Sequence, residues 1–472
     1  MKMKVDQEAA PGARPLTDTI AAIATAPGAS GIGIIRISGP ASLRIADSLV
    51  FGRNRGVLHI SGQPSHTVKY GFIWDGENPV DEVLVSVFRA PRSYTTEDTV
   101  ELSCHGGSFV LRRALSLVIK AGARLAEPGE FTKRAFMNGR IDLTEAESVM
   151  DLISAGNEFA RKNSLSILRG SIFRKITELR DKLIHEAAFI ESALDDPEHY
   201  SLEGYGEELR IKIDFIMSEL SALIRDSGTG RVLKTGLRTV IMGRPNVGKS
   251  SVLNLLTGDD TAIVTDIPGT TRDVVTMEIN LRGIPLIVFD TAGIRETEDP
   301  VESLGVERSF STFEKSDLVL LVLDSTEELK EEDLKIYDRI QKEEKKCIIL
   351  MNKCDLNRLV CDVSGLSFPS VLFSAKKGTG LKELEEIIED IFVLKGAPER
   401  EEAFITSERQ VSELESAHSS LELVKQSIDL GMTEDFFSSD LMDAYTHLGN
   451  IIGRSTEEDL FDRIFSEFCM GK

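Results

Sequence analysis

The sequence predicts a multidomain chain: an α+β amino-terminal domain, an all-α helical domain, and an α/β domain inserted into the helices. Three observations carry this. Residues 18–140 mix short alternating apolar runs with one helical run, and strand and helix patterns alternate from about 233 to 395. Gly- and Pro-poor helical stretches flank that alternation on both sides, so the α/β part reads as an insertion, which a domain with neighbouring ends tolerates. A chain of 472 residues has room for this at roughly 100 to 200 residues per domain.

In the amino-terminal part, Glu82–Phe88 and Thr99–Ser103 alternate as half-buried strands, and Ser108–Lys120 has helical spacing. The run GASGIGIIRISG invites a dinucleotide reading, but Gly28, Gly31, Gly33 and Gly39 do not give GxGxxG, because Arg36 stands where the third glycine belongs. Thr144 with Glu147 reads as a capping box opening a helical region whose one proline is Pro197. Ser227-Gly-Thr-Gly230 reads as a linker into the α/β part, and Lys395-Gly-Ala-Pro398 closes it. Ser407 with Gln410, and Ser455 with Glu458, read as further capping boxes, the last before the stripe Phe461, Ile464, Phe465, Phe468. The expected domains are 1–140, 141–232, 233–395 and 396–472, the second and fourth being two parts of one helical domain.

Composition narrows the function. With 41% hydrophobic and 28% charged residues the chain reads as soluble and globular, and no apolar run approaches the 18 residues that a membrane span needs. The start, MKMKVDQEAAPGARP, has lysines but no apolar core after them, so export is not expected. Five cysteines without a CxxC pair suggest neither a disulfide framework nor a zinc cluster, and a reducing cytoplasm fits. His105 beside Cys104 has no further ligands nearby and reads as a turn before Gly106-Gly107 rather than a metal site. A net charge of −22 disfavours non-specific adhesion to nucleic acid or membrane. Residues 1–140, with 17 basic and 13 acidic side chains, are the exception, so RNA contact should be local and assisted by a partner.

The chemistry lies in the α/β part. Gly243-Arg-Pro-Asn-Val-Gly-Lys-Ser250 matches GxxxxGK[ST] between the apolar strand Arg238–Met242 and the helical Ser251–Leu256. Glycines let backbone N–H groups close around a β-phosphate at a helix N-terminus, Lys249 neutralises β and γ oxygens, and the Ser250 hydroxyl suits magnesium. Asp290-Thr-Ala-Gly293 follows the apolar Ile287–Phe289, where the carboxylate can reach magnesium through water and Gly293 N–H can meet the γ-phosphate. Asn352-Lys-Cys-Asp355 follows Cys347–Met351. Asp355 can accept from the ring N–H and the exocyclic amino group of guanine, a pairing adenine lacks, so the nucleotide is GTP. Ser374-Ala-Lys376 supplies a backbone donor to the guanine oxygen.

The ordered set makes this a Ras-like P-loop GTPase domain. Its expected GTP-binding residues are Asn246, Val247, Gly248, Lys249, Ser250 and Ser251; Asp290, Thr291, Ala292 and Gly293; Asn352, Lys353 and Asp355; and Ser374, Ala375 and Lys376. Thr265, Asp266, Ile267, Pro268, Gly269, Thr270 and Thr271 add a switch loop whose threonines can complete the magnesium shell and report the γ-phosphate, with Ser250 and Thr271 as metal ligands. The position after Asp-Thr-Ala-Gly, where Ras-like proteins place Gln, is Ile294, which cannot orient water. The acidic stretch Glu296–Glu302 is the nearest source of that function, and the residues alone do not choose one carboxylate.

With GIGIIRISG, Cys104-His-Gly-Gly107, PGEFTKRAF at Pro128–Phe136, TDIPGTTRD and the terminal Phe468-Cys-Met-Gly-Lys472, the chain resembles over nearly its whole length the MnmE (TrmE) family of tRNA-modifying GTPases. The resemblance implies an amino-terminal domain that dimerises and binds 5-formyltetrahydrofolate, through Arg36, Glu101, Arg140 and Lys472. Arg140 stands where many relatives have Lys, which keeps the charge and changes the geometry. It implies G domains that pair around a potassium ion held by Asn246, Thr265, Ile267 and Thr270, with Glu302 orienting the attacking water beside catalytic Lys249. Cys469 matches the family's terminal cysteine, either a nucleophile towards uridine C6 or a helix-end residue packed beside Phe465 and Phe468; Met470 replaces the family's Ile.

The implied partners are tRNA, a second copy of the chain and an FAD-dependent protein of the MnmG (GidA) type. The implied activity installs an aminomethyl or carboxymethylaminomethyl group at C5 of the wobble uridine. Two rivals remain at this point. A GTP-dependent binding switch in ribosome assembly leaves residues 18–140 and the terminal motif without a use, and a free-standing folate enzyme with a regulatory GTPase would turn folate over alone.

Overall fold

A computed structural model describes residues 18–263, 276–281, 284–289, 313–314, 316–356, 358–392 and 403–454. The fold is multidomain, with α+β, all-α and α/β parts, and the chain divides into two compact units. The first takes Met1–Met150, Ile167–Ile216 and Ser416–Lys472; the second takes Asp151–Ser166 and Met217–Glu415. No described helix is long and apolar enough to cross a membrane.

The first unit opens with β1 (Ile20–Ile23), β2 (Ile32–Ser38), α1 (Ser42–Leu49), β3 (Val50–Phe51), β4 (Thr67–Asp75), β5 (Asn78–Phe88) and β6 (Thr99–His105). Then come α2 (Ser108–Lys120), β7 (Arg124–Leu125) and α3 (Glu130–Met137). The strands form one sheet in the order β3-β4-β5-β6-β2-β1-β7, antiparallel except where β7 runs parallel to β1. Alternation decides its faces: Val83, Val85 and Val87 of β5 and Val100 and Leu102 of β6 point into a core with Ile35, Ile37 and the apolar sides of α1 and α2. Their odd-numbered neighbours on β6, Glu101 and Ser103, stay accessible on the other face, where β2 sets Arg36 opposite Glu101.

Helices follow as α4 (Leu143–Ile153), α5 (Glu158–Leu168), α6 (Ser171–Asp195) and α7 (Tyr205–Thr235). The stripe Ile172, Ile176, Leu179, Leu183, Ala187 and Ile190 buries one face of α6. Two expectations need correction here. The cap of α4 is Asp142 with Glu145, not Thr144 with Glu147: Asp142 Oδ1 accepts from the N–H groups of Thr144 (2.7 Å) and Glu145 (3.0 Å), and Glu145 Oε2 accepts from Asp142 N–H (3.0 Å). The Ser227–Gly230 stretch is no linker either, since α7 runs through it to Thr235. A Cβ at Gly230 would lie 2.5 Å from Phe404 Cβ, so glycine is there for close packing, and tertiary contact overrides its poor helix propensity.

The second unit holds β8 (Leu237–Met242), α8 (Lys249–Thr261, broken at Gly258), β9 (Ala262–Ile263), β10 (Thr276–Leu281), β11 (Ile284–Phe289) and β12 (Leu318–Asp324). It continues through α9 (Glu331–Lys342), β13 (Lys346–Asn352), β14 (Ser370–Leu372) and α10 (Leu381–Ile391). The sheet order is β14-β13-β12-β8-β11-β10-β9; β14, β13, β12, β8 and β11 are parallel, and β10 and β9 add an antiparallel edge. All seven residues of β12 are buried, as a central parallel strand covered on both faces demands. The chain reverses its winding at β8, between β11 and β12, and ligands of such sheets bind beyond the carboxyl ends of the strands at that point. Beyond it, α11 (Glu408–Asp429) starts directly after Ser407, and α12 (Glu434–Ile452) belongs to the first unit, where Arg180 of α6 lies over the Tyr445 ring. The expected helix start at Ser455 and the stripe Phe461–Phe468 fall outside the described residues.

Candidate functional site

The nucleotide-binding motifs gather where the topology directs them. The loop Gly243–Ser250 leaves the carboxyl end of β8, Asn352 ends β13, and Ser374–Lys376 follows β14, all at one edge of the parallel sheet. Two glycines of the loop are required by space. A Cβ at Gly243 (φ +149) would sit 2.4 Å from Val322 O, and one at Gly248 (φ +100) 2.2 Å from Asn352 Nδ2. Asn352 ties the motifs together: its Nδ2 donates to Val247 O (2.9 Å) and its Oδ1 accepts from Ala375 N–H (3.0 Å). Asp355 accepts from Ser374 Oγ (2.7 Å), and that bond holds its carboxyl below the usual carboxylate range, ionised and fit to accept two N–H groups from guanine.

Lys249 Nζ donates to the carbonyls of Gly243 (2.9 Å) and Arg244 (2.7 Å), inside the curve of the loop. Burial lowers its pKa, so a phosphate charge beside it favours the charged ammonium. Ser250 is half-buried in the first turn of α8, a position from which its hydroxyl suits a magnesium ion held with phosphate oxygens, and Ser251 is exposed beside it. Asn246 takes a left-handed conformation (φ 64), its side chain is exposed, and its carbonyl accepts from Lys353 Nζ (2.9 Å). Arg244 is buried, its guanidinium paired with Asp333 (2.8 Å) and Glu327 (3.1 Å), which brace the loop from the start of α9 and the turn before it.

Sequence reading missed two residues. Asp324, at the carboxyl end of β12, pairs with Lys353 at 2.6 Å. The signal was there: an acid ends an otherwise apolar strand. The other is Tyr94, around which the first unit gathers three of its expected folate residues. Arg36 Nε donates to Glu101 Oε1 (2.8 Å), and its guanidinium lies 5.4 Å from the centre of the Tyr94 ring and 5.6 Å from that of Phe131. Arg140 covers Tyr94 at 4.8 Å and donates to its backbone carbonyl (3.1 Å). Two guanidinium groups, a half-buried carboxylate and a ring form a surface that suits a flat, anionic heterocycle. Nothing in the spacing of residues 36, 94, 101 and 140 signals this, since register and a loop bring them together.

The expected Thr265, Asp266, Ile267, Pro268, Gly269, Thr270 and Thr271, with Asp290, Thr291, Ala292, Gly293, Glu302, Cys469 and Lys472, lie outside the described residues. Cys104 is buried in the core of the first unit, where burial pushes its thiol up to about 12. His105 Nδ1 meets Asp81 Oδ1 at 2.6 Å, a local carboxylate partner at the end of β6.

Known proteins show which fold family combines these parts. The model of the MnmE helical domain matches residues 143–469, and that of the GTP-binding protein TrmE N-terminus matches 19–140. The tRNA modification GTPase MnmE of Lachnoclostridium phytofermentans is 49% identical over 459 residues, covering 97% of this chain and all of its own. That of Acetivibrio thermocellus is 45% identical, covering 96% of this chain and 99% of its own. Among solved structures, the G domain of the T. maritima FeoB iron transporter shares 27% identity over 33% of this chain and 97% of its own, with a TM-score of 0.26, too low to add to the assignment. With a P-loop sequence and both family domains along its length, the chain is a GTP hydrolase and belongs to the tRNA modification GTPase MnmE family.

Proposed function

We propose that this GTPase acts on tRNA, driving the addition of an aminomethyl or carboxymethylaminomethyl group at C5 of the wobble uridine together with an FAD-dependent partner of the MnmG (GidA) type. The observation that carries the reading is the convergence of Arg36, Glu101 and Arg140 on Tyr94. A GTP switch in ribosome assembly has no use for such a cluster, whereas a one-carbon donor such as 5-formyltetrahydrofolate pairs a flat heterocycle with carboxylates. Lys472 would complete the set. The domain division that goes with this reading is 1–140, 141–232, 233–395 and 396–472.

In the nucleotide site, Lys249 and the loop amides hold the phosphates, and Ser250 and Thr271 would hold a magnesium ion, which would supply further neutralisation of phosphate charge. Asn246, Thr265, Ile267 and Thr270 would hold a potassium ion, which would offset charge developing in the transfer, and Glu302 orients the water. The protein acts in the cytoplasm as a homodimer. Cys469 stays a candidate nucleophile whose alternative is packing.

Mass spectrometry of wobble-uridine nucleosides from cells with and without the gene tests the reading. Loss of the aminomethyl-type nucleosides on deletion, restored by the intact gene, is expected; an unchanged profile in cells without a backup enzyme sinks the tRNA assignment and leaves ribosome assembly to test. On the purified chain, GTP turnover should be much faster in potassium than in sodium at equal ionic strength, and equal rates would remove Asn246 from its cation role.

A further inference from the structure

The strand β12 is apolar from Leu318 to Leu323 and ends in a carboxylate, Asp324, whose side chain is 8% exposed. A charge this sheltered persists only with partners. Its two oxygens have separate ones. Oδ1 accepts from Thr326 N–H (3.0 Å) and Thr326 Oγ1 (2.7 Å), closing the turn after the strand, while Oδ2 accepts from Lys353 Nζ (2.6 Å).

The same ammonium donates to Asn246 O (2.9 Å) in the phosphate loop. Both residues joined by that bond are left-handed, Lys353 at φ 67 and Asn246 at φ 64, a conformation that asparagine tolerates and lysine resists, so at Lys353 it persists where neighbours hold it. A lysine side chain on its own is a flexible stem with a mobile charge. Asp324 fixes the far end of that stem, so the guanine-side loop and the phosphate-side loop keep one spacing before nucleotide arrives.

We propose that Asp324 is a positioning residue for guanine nucleotide binding, acting through Lys353 to hold the Asn246 carbonyl and the left-handed turn of the phosphate loop. The burial of the carboxylate works to raise its pKa, but the bonds from Lys353 and Thr326 outweigh it and keep the group ionised. The inference rests on the GTPase assignment and not on the tRNA reading.

Asp324→Asn tests it cleanly. The amide oxygen can still close the Thr326 turn, while the amide nitrogen cannot accept from an ammonium. For the full chain without tRNA or flavoprotein, the Kd of fluorescently labelled GTP and GDP should rise about tenfold, the scale of one hydrogen bond to a charged group. Thermal unfolding of the nucleotide-free chain should shift by no more than about 2 °C, because the turn is kept. In a Lys353→Met background the same change should add nothing, since the path through Lys353 is already cut. Unchanged nucleotide affinity in Asp324→Asn overturns the proposal, and so does a second tenfold loss in the Lys353→Met background. Neither outcome involves tRNA, so the result is independent of the substrate assignment.

Discussion

The two candidate sites are built by opposite means. In the second unit the nucleotide site is made of loops at the carboxyl ends of parallel strands, where backbone amides and carbonyls work beside the side chains of Lys249, Ser250, Asn352 and Asp355 and two glycines stand where a side chain would collide. In the first unit the Arg36–Glu101–Arg140 cluster gathers at the accessible face of an antiparallel sheet and offers side chains, one of them held by the Tyr94 backbone carbonyl. Backbone sites demand contiguous sequence, because each amide must follow its neighbour around one curve. Side-chain sites demand only that a register bring distant positions together, so they leave no local pattern.

Substitutions should affect the two sites separately. The largest effect should come from Gly248→Ala, whose methyl group meets Asn352 Nδ2 at 2.2 Å in a backbone conformation that alanine resists. GTP affinity should fall on the order of 100-fold in equilibrium titration, with folate affinity untouched. An intermediate effect is expected from Arg140→Ala. Its side chain is exposed, so folding should be spared, while affinity for 5-formyltetrahydrofolate by calorimetry should drop about tenfold through loss of one charged contact. If Arg140→Ala also weakened GTP binding, the two sites would not be separate devices.

The smallest effect concerns pH. Burial, and then the neighbouring Asp142, push Glu145 up to about 7, while Arg140 and Arg174 pull the other way. A carboxyl whose pKa is raised on folding binds more protons in the native state than in the unfolded one between its unfolded value and about 7. Its contribution to stability is therefore present at low pH and declines as pH rises through that window. Glu145→Gln keeps an acceptor for Asp142 N–H and should flatten the thermal midpoint between pH 5 and 7; an unaltered slope would show that another group sets it.

What could be read from sequence follows the same division. The helix Ser108–Lys120 and the strands around the phosphate loop were legible because amphipathic spacing and contiguous motifs are local properties. The cap at Asp142 was misplaced by two residues because Thr144 and Glu147 offer the same spacing, and only the hydrogen bonds distinguish them. Gly228 and Gly230 looked like a linker because propensity cannot see Phe404, 174 positions beyond Gly230. Tyr94 was invisible for a related reason: its value lies in the two arginines that a loop and a strand register bring to it.

That packing of Gly230 against Phe404 changes what the inserted domain is as a physical object. Phe404, Phe159 and Leu233 share one apolar core with Leu237, Ile241, Leu253 and Leu286 of the sheet and its first helix. Apolar contact runs across the splice between helices and sheet, and Asn163, which bonds both the N–H and the carbonyl of Phe404, reinforces it with polar contacts. A fragment cut at residues 233 and 395 would leave Phe159 and Phe404 behind and open a sticky face where the parent chain has interior. The borders at which a domain was inserted and the borders at which it can be cut out are different lines on this chain.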